Sequence, residues 1–310
     1  MQHTLYNTII VHGTGLHSGQ KVQCHIAPSG ADSGIVFRRM DIVNEACDVP
    51  VRYDNVVDTR LCTVIANDDD VRVGTIEHLM AALRASGIDN ARISLDGGEV
   101  PILDGSARGF YDAIVNAGRK VQNAPRRAVK LLKPVNVGEP GRNASLHPAI
   151  GSEYTVSVDF DHPAIGRQVS TVDLASGTFD REIADARTFG FLDEVEMLQR
   201  QGLALGGSLN NAIVLDAKQV LNPEGLRSDD EFARHKLLDA IGDIYLAGGP
   251  VIGAYTGDCA GHALNNALLK KLFATPNAWE RVDLYSDIEV PHGDRRLFVA
   301  GSDQRAIARA

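Results

Sequence analysis

His235 and Asp239 stand one helical turn apart in the stretch DEFARHKLLDAIGDIYLAG, and Asp243 follows a turn later. An imidazole and a carboxylate at this spacing supply half of a zinc site, although they can also pair with each other or face water. The neighbours sharpen the choice. Leu237, Ile241, Ile244 and Tyr245 form an apolar stripe, and Leu238, Ala240 and Leu246 extend it, so the pattern predicts a helix buried almost all round. A charged group in such a place is costly unless it is paired or holds a metal.

A second pair lies far upstream. Glu77-His78 opens the pattern TIEHLMAAL, with Thr75 predicted as the helix cap and His78 near its third position. A helix N-terminus disfavours an imidazolium, so His78 should be neutral and able to bind metal. Alone it reads as a satisfied polar residue near a cap. Joined to His235 and Asp239, it completes two imidazoles and one carboxylate, which leave a fourth zinc position for water. Zinc lowers the pKa of such a water from about 15.7 to about 7. Glu77 could then act as general base. The spacing is not that of the metalloprotease helix. His262, in the loop AGHALNN, either caps the next helix or serves as a cationic acid, with Asp243 keeping it protonated.

These residues meet only if the chain brings two distant helices together. The first part predicts strands at Leu5 to His12, Val22 to Ala27 and Ile35 to Arg39, a helix at Thr75 to Ala85, a strand at Ala91 to Leu95, a Gly-containing loop and a helix at Ala107 to Asn116. The second part predicts strands at Ala128 to Val137, Tyr154 to Phe160 and Val169 to Leu174. A helix at Asp229 to Ala247 follows, capped by Ser228 with Glu231 reaching back, then a strand at Val251 to Thr256 and a helix at Ala263 to Phe273. The order repeats, which predicts a degenerate duplication with two α/β layers facing each other across a site. Gln122 to Arg127 is the predicted linker, dividing the chain into units 1–125 and 126–310. Phe189 to Asn222 has no counterpart in the first unit. It reads as an insertion with its own small core, or as the wall of an apolar ligand site.

The net charge of −9 argues against nucleic acid as the main partner. No run of residues is long and apolar enough to span a membrane, and the N-terminus lacks an export signal. Four dispersed cysteines suit a reducing compartment and offer no cysteine zinc site. A cytoplasmic monomer is expected, with peripheral proximity to a membrane left open.

The motifs GTGLHSG, RLCT, TIEHLMAAL, GIDNARI, VPILDGSA, FDHPAIG, ARTFGF, LGGSLNNAIV, RHKLLDAIGD and GHALNN, in this order, resemble those of the bacterial UDP-3-O-acyl-N-acetylglucosamine deacetylases, zinc enzymes of lipid A biosynthesis. The likeness covers nearly the whole chain. It implies an α+β fold of two similar β-α-α-β domains, ribosomal protein S5 domain 2-like, with helices inside, sheets outside and an insert in each. It implies removal of the N-acetyl group of UDP-3-O-(3-hydroxyacyl)-N-acetylglucosamine as acetate, with zinc, or alternatively iron(II), as cofactor. It further implies His78, His235 and Asp239 as metal ligands, Glu77 as base, His262 as acid oriented by Asp243, and Thr188 on the acetyl carbonyl. Lys236 would hold the polar part of the substrate and Phe189 would lie under the sugar. Leu16, Cys62, Phe191, Val195, Gly207, Ala212 and Val214 would complete the substrate wall, with the acyl chain along the insert at 189–222. Phe160 and His162 are candidates for the uridine end. The alternatives are a zinc amidohydrolase acting on another acylated sugar, and a non-catalytic glycolipid-binding protein.

Overall fold

A helix buried on nearly every side organises the molecule. In the computed structural model, which describes residues 1–43, 46–174 and 177–284, this helix spans Glu231–Tyr245, and only Arg234 and Lys236 along it are not buried. Residues 285–310 of the expected second unit lie outside the described residues. The described residues contain six α-helices: α1 Glu77–Ala85, α2 Arg108–Ala117, α3 Phe179–Glu182, α4 Leu192–Arg200, α5 Glu231–Tyr245 and α6 His262–Ala274. None is long and apolar enough to cross a membrane.

Two sheets carry most of the strands. One has five strands in the order Ile9–Thr14, Lys21–Pro28, Ala91–Leu95, Ile35–Arg39 and Asp48–Pro50. The other has seven, with Val251–Asp258 pairing with Arg126–Leu131, Arg142–His147 and Ser152–Phe160. Alternation sets their faces. Val22, Cys24 and Ile26 are buried along one strand, and Tyr154, Val156 and Val158 along another, with less buried residues between them.

α1 and α5 touch at Gly242. A Cβ there would sit 2.1 Å from the Glu77 carbonyl oxygen, so only glycine permits this approach of the two backbones. The space that a side chain would fill at Gly242 is taken by the backbone of α1.

Several element ends differ from expectation. The run Leu5 to His12 divides into His3–Leu5 and Ile9–Thr14, the first paired with Arg119–Val121. Ala128 to Val137 likewise divides into Arg126–Leu131 and Val135–Glu139, broken at Pro134, which has no N–H for a ladder. Thr75 is not the cap of α1. Its φ is +57°, its hydroxyl donates to Glu99 Oε1 at 2.9 Å, and Ile76 occupies the cap position, so His78 is the second helical residue. The expected capping box on α5 is also absent. Asp230 holds the cap position, the Ser228 hydroxyl has no partner, and the Glu231 carboxylate faces Arg187. A buried guanidinium makes stronger charge-assisted bonds with that carboxylate than a backbone N–H could.

Candidate metal centre

The first turn of α1 meets the middle of α5 in a small buried space. His78 Nε2 lies 3.6 Å, and His235 Nε2 3.4 Å, from the same oxygen, Oδ1 of Asp239. One donor atom from each residue falls within 4.8 Å of the other two. The three residues are 4%, 1% and 2% exposed, so water does not screen them.

Their hydrogen bonding tests whether a cation fits. His235 Nδ1 meets the carbonyl oxygen of Ala186 at 3.0 Å and must donate to it, which turns the Nε2 lone pair inward. Burial lowers the His235 pKa to about 3, so the ring is neutral. Burial alone would raise the Asp239 carboxyl, but surrounding basic groups, with Lys236 on Oδ2 at 2.9 Å, hold it well below its ordinary value. A lone pair therefore faces an ionised oxygen, and Asp239 Oδ1 is buried without a hydrogen-bond partner. A cation between them resolves both faults. Two nitrogens and one oxygen suit zinc, and also iron(II) or cobalt(II).

Glu77 and His262 flank this set. Glu77 is 3% exposed and accepts a bond from the Thr63 backbone N–H at 3.1 Å. Burial pushes its carboxyl upward, against the opposing pull of His262 and His78. His262 Nε2 lies 3.8 Å from Glu77 Oε1, and its Nδ1 lies 2.8 Å from Asp243 Oδ2. Burial and the N-terminus of α6 both oppose charge on His262. Asp243 and Glu77 outweigh burial and raise the ring to about 9. Asp243 itself accepts from Thr63 Oγ1 at 2.6 Å and Asn265 Nδ2 at 2.9 Å. It sits behind His262, outside the cavity lining.

Of the other site residues expected from sequence, Thr188 and the substrate-binding candidates Leu16, Cys62, Phe189 and Lys236 line the cavity together with the titrating groups. The Lys236 ammonium lies 5.5 Å from the centre of the Phe189 ring. Phe191, Val195, Gly207, Ala212 and Val214 lie beyond it along the insert, where Phe189–Phe191 pairs in parallel with Ile213–Leu215. Phe160 packs on Phe189 and Phe191, and His162 on Phe191, so these two also stand outside the lining. Burial pushes the Cys62 thiol upward, which makes it a poor nucleophile.

The sequence reading missed Thr63, Asn265, His17 and Glu99. Thr63 and Asn265 fix Asp243. His17 lines the cavity with both ring nitrogens buried and unpartnered. Glu99 accepts the backbone N–H groups of His17 and Ser18 and the Thr75 hydroxyl, tying the GTGLHSG loop to α1. Their only signal was a place in or beside the family motifs, since no spacing links them to the candidate metal ligands.

The chain has relatives among known proteins. The family profile described as LpxC, UDP-3-O-acyl N-acetylglycosamine deacetylase, matches residues 2–274. The chain belongs to this family. A relative from Neisseria meningitidis named UDP-3-O-acyl-N-acetylglucosamine deacetylase is 48% identical over 300 residues, covering 96% of this chain and 98% of the relative. A protein of the same name from Acidithiobacillus ferrooxidans is 51% identical over 305 residues, 97% and 99% of the two chains. One from Pseudomonas entomophila is 47% identical over 283 residues, 91% and 93%.

Proposed function

We propose that the chain hydrolyses the N-acetyl group of UDP-3-O-(3-hydroxyacyl)-N-acetylglucosamine, releasing acetate and the free amine, as a step of lipid A biosynthesis. One observation carries this reading. Glu77, His78, His235, Asp239 and His262 converge in one buried cavity, in a chain about half identical to proteins named for that reaction.

His78, His235 and Asp239 would hold a zinc ion, which would supply Lewis acidity toward the amide carbonyl and lower the pKa of the attacking water. Glu77, next to a ligand and raised by burial, takes the water's proton as the new C–O bond forms. The Thr188 hydroxyl polarises the carbonyl beside it. When the C–N bond breaks, the amine nitrogen needs a proton, and the His262 imidazolium delivers it from Nε2. Asp243 holds Nδ1 and keeps that ring charged. Lys236 binds the polar part of the substrate and Phe189 lies under the sugar.

The acyl chain runs along the insert past Leu16, Phe191, Val195, Gly207, Ala212 and Val214. Each buried methylene is worth about 0.8 kcal/mol, which lets that wall discriminate chain length. The architecture supports two related β-α-α-β units, 1–125 and 126–310. Each has a sheet and a helix, α1 or α5, that meets its counterpart at the site. The protein acts as a cytoplasmic monomer without a nucleic-acid partner, in keeping with its net charge of −9.

Metal analysis combined with acetate release from UDP-3-O-acyl-N-acetylglucosamine tests the reading. Glu77→Ala and His262→Ala should each reduce turnover by about two orders of magnitude or more while retaining metal. Normal deacetylation by Glu77→Ala would refute the assigned base. Asp239→Ala should lose metal.

A further inference from the structure

The expected capping residue of α5 has another occupation. Glu231 is fully buried, and its carboxylate accepts four hydrogen bonds. Arg187 supplies its backbone N–H at 3.1 Å, Nε at 2.9 Å and Nη2 at 3.2 Å, and Arg227 supplies its backbone N–H at 2.6 Å. Arg187 is 2% exposed and also donates to Glu224 Oε1 at 2.6 Å and the Gly225 carbonyl at 2.7 Å. Both charges are satisfied, and Glu231 stands in the first turn of α5, where a helix favours a carboxylate.

The backbone N–H of Arg187 and the carbonyl of Ala186 belong to one peptide unit. Glu231 accepts the N–H, and His235, one turn further along the same helix, donates Nδ1–H to the C=O. The unit is rigid and planar, so fixing its N–H edge fixes its C=O edge. An N–H bonded to a carboxylate also polarises the carbonyl, strengthening the bond that carbonyl accepts. The next residue, Thr188, is pinned on both sides, its N–H to Gly105 and its carbonyl to the Ile213 N–H, each at 2.8 Å.

We infer that Glu231, clamped by Arg187, is a positioning residue for the metal centre. Through the 186–187 peptide it fixes the orientation and basicity of the His235 ring, and through Arg187 it places Thr188. This rests on the reading of His78, His235 and Asp239 as the metal ligands. Partners one step removed from a metal commonly change affinity by about 10- to 100-fold when altered.

The test measures zinc affinity by chelator competition and the visible spectrum of the cobalt(II) protein, alongside the urea midpoint. It uses the full chain as wild type, His235→Ala, Glu231→Gln and the double variant Arg187→Met with Glu231→Leu. A buried ion pair replaced whole by apolar side chains often keeps stability. The double variant therefore separates support of the fold from support of the metal. Glu231→Gln retains the shape and answers the same question if the double variant does not fold.

Expected are a loss of zinc affinity of about tenfold or more in both variants and an altered cobalt spectrum, with the urea midpoint of Glu231→Gln lowered, because its amide nitrogen must face donors, and that of the double variant nearer wild type. Wild-type zinc affinity and cobalt spectrum in a folded Glu231→Gln or double variant would overturn the inference alone. Wild-type zinc affinity in His235→Ala would overturn the ligand reading and the inference with it.

Discussion

Glu77 and His262 face each other across 3.8 Å, and their shared protons should govern how activity varies with pH. Glu77, the proposed base, is raised by burial and must still lose its proton, so kcat/KM should fall on the acid side at a pH above the ordinary carboxylate range. His262, the proposed acid, is held up to about 9 and must keep its proton, so kcat/KM should fall again near that pH on the alkaline side. The two limbs belong to the pair, because the groups interact. Removing the charge behind His262 should lower its pKa. In Asp243→Asn the alkaline limb should therefore move to lower pH while the acid limb stays, as measured from kcat/KM profiles. An unmoved alkaline limb would separate His262 from that limb. At this scale the sequence was most legible where spacing on one helix brings candidate groups together, as with His235, Asp239 and Asp243. Thr63 and Asn265 were illegible because each reaches Asp243 from a separate segment by a fold contact. Glu231 was misread because a capping-box spacing says nothing about a buried arginine arriving from elsewhere.

Among the elements, the contact of α1 with α5 sets the distances within the site. Gly242 is its critical position, and Gly242→Ala inserts a methyl group 2.1 Å from the Glu77 carbonyl. Overpacking of this kind costs about 1–3 kcal/mol, which a lowered urea midpoint would report. The clash falls on the residue proposed as the base. Helix separation of about 1 Å should therefore also reduce kcat by roughly a hundredfold. Wild-type stability and turnover in Gly242→Ala would mean that the helices relax freely and that their close approach does not set the site. The buried character of α5 was readable from its apolar surround, since a helix polar only along one narrow line has nowhere to expose itself. The start of α1 was not readable. Thr75 looks like a cap by type, yet its hydroxyl is bound to Glu99 and its backbone is left-handed.

For the whole molecule, the legible part of the fold was the order of its elements, because periods of two and of 3.6 residues survive without tertiary context. Strand breaks and sheet neighbours were less legible, being settled by partners such as the Ala278 carbonyl, which takes the N–H groups of Leu132 and Lys133 just before Pro134. The proposed metal ligands come from two helices, so metal should stabilise the folded chain as a whole. Saturating zinc at about 100 times its dissociation constant adds about 2.7 kcal/mol. Chelation should accordingly lower Tm in wild type, and leave Tm unchanged in Asp239→Ala, as calorimetry can check.

The separation of those helices along the chain also has a bearing on synthesis. His78 leaves the ribosome with half the protein still to be made before His235 appears. At about 5–20 residues per second that interval is roughly 8–30 s. During it the nascent chain presents α1 with neither its covering helix nor two of its three proposed ligands. Metal capture is thereby deferred until α5 has been translated and docked, and the growing chain must keep the apolar face of α1 from other partners until then.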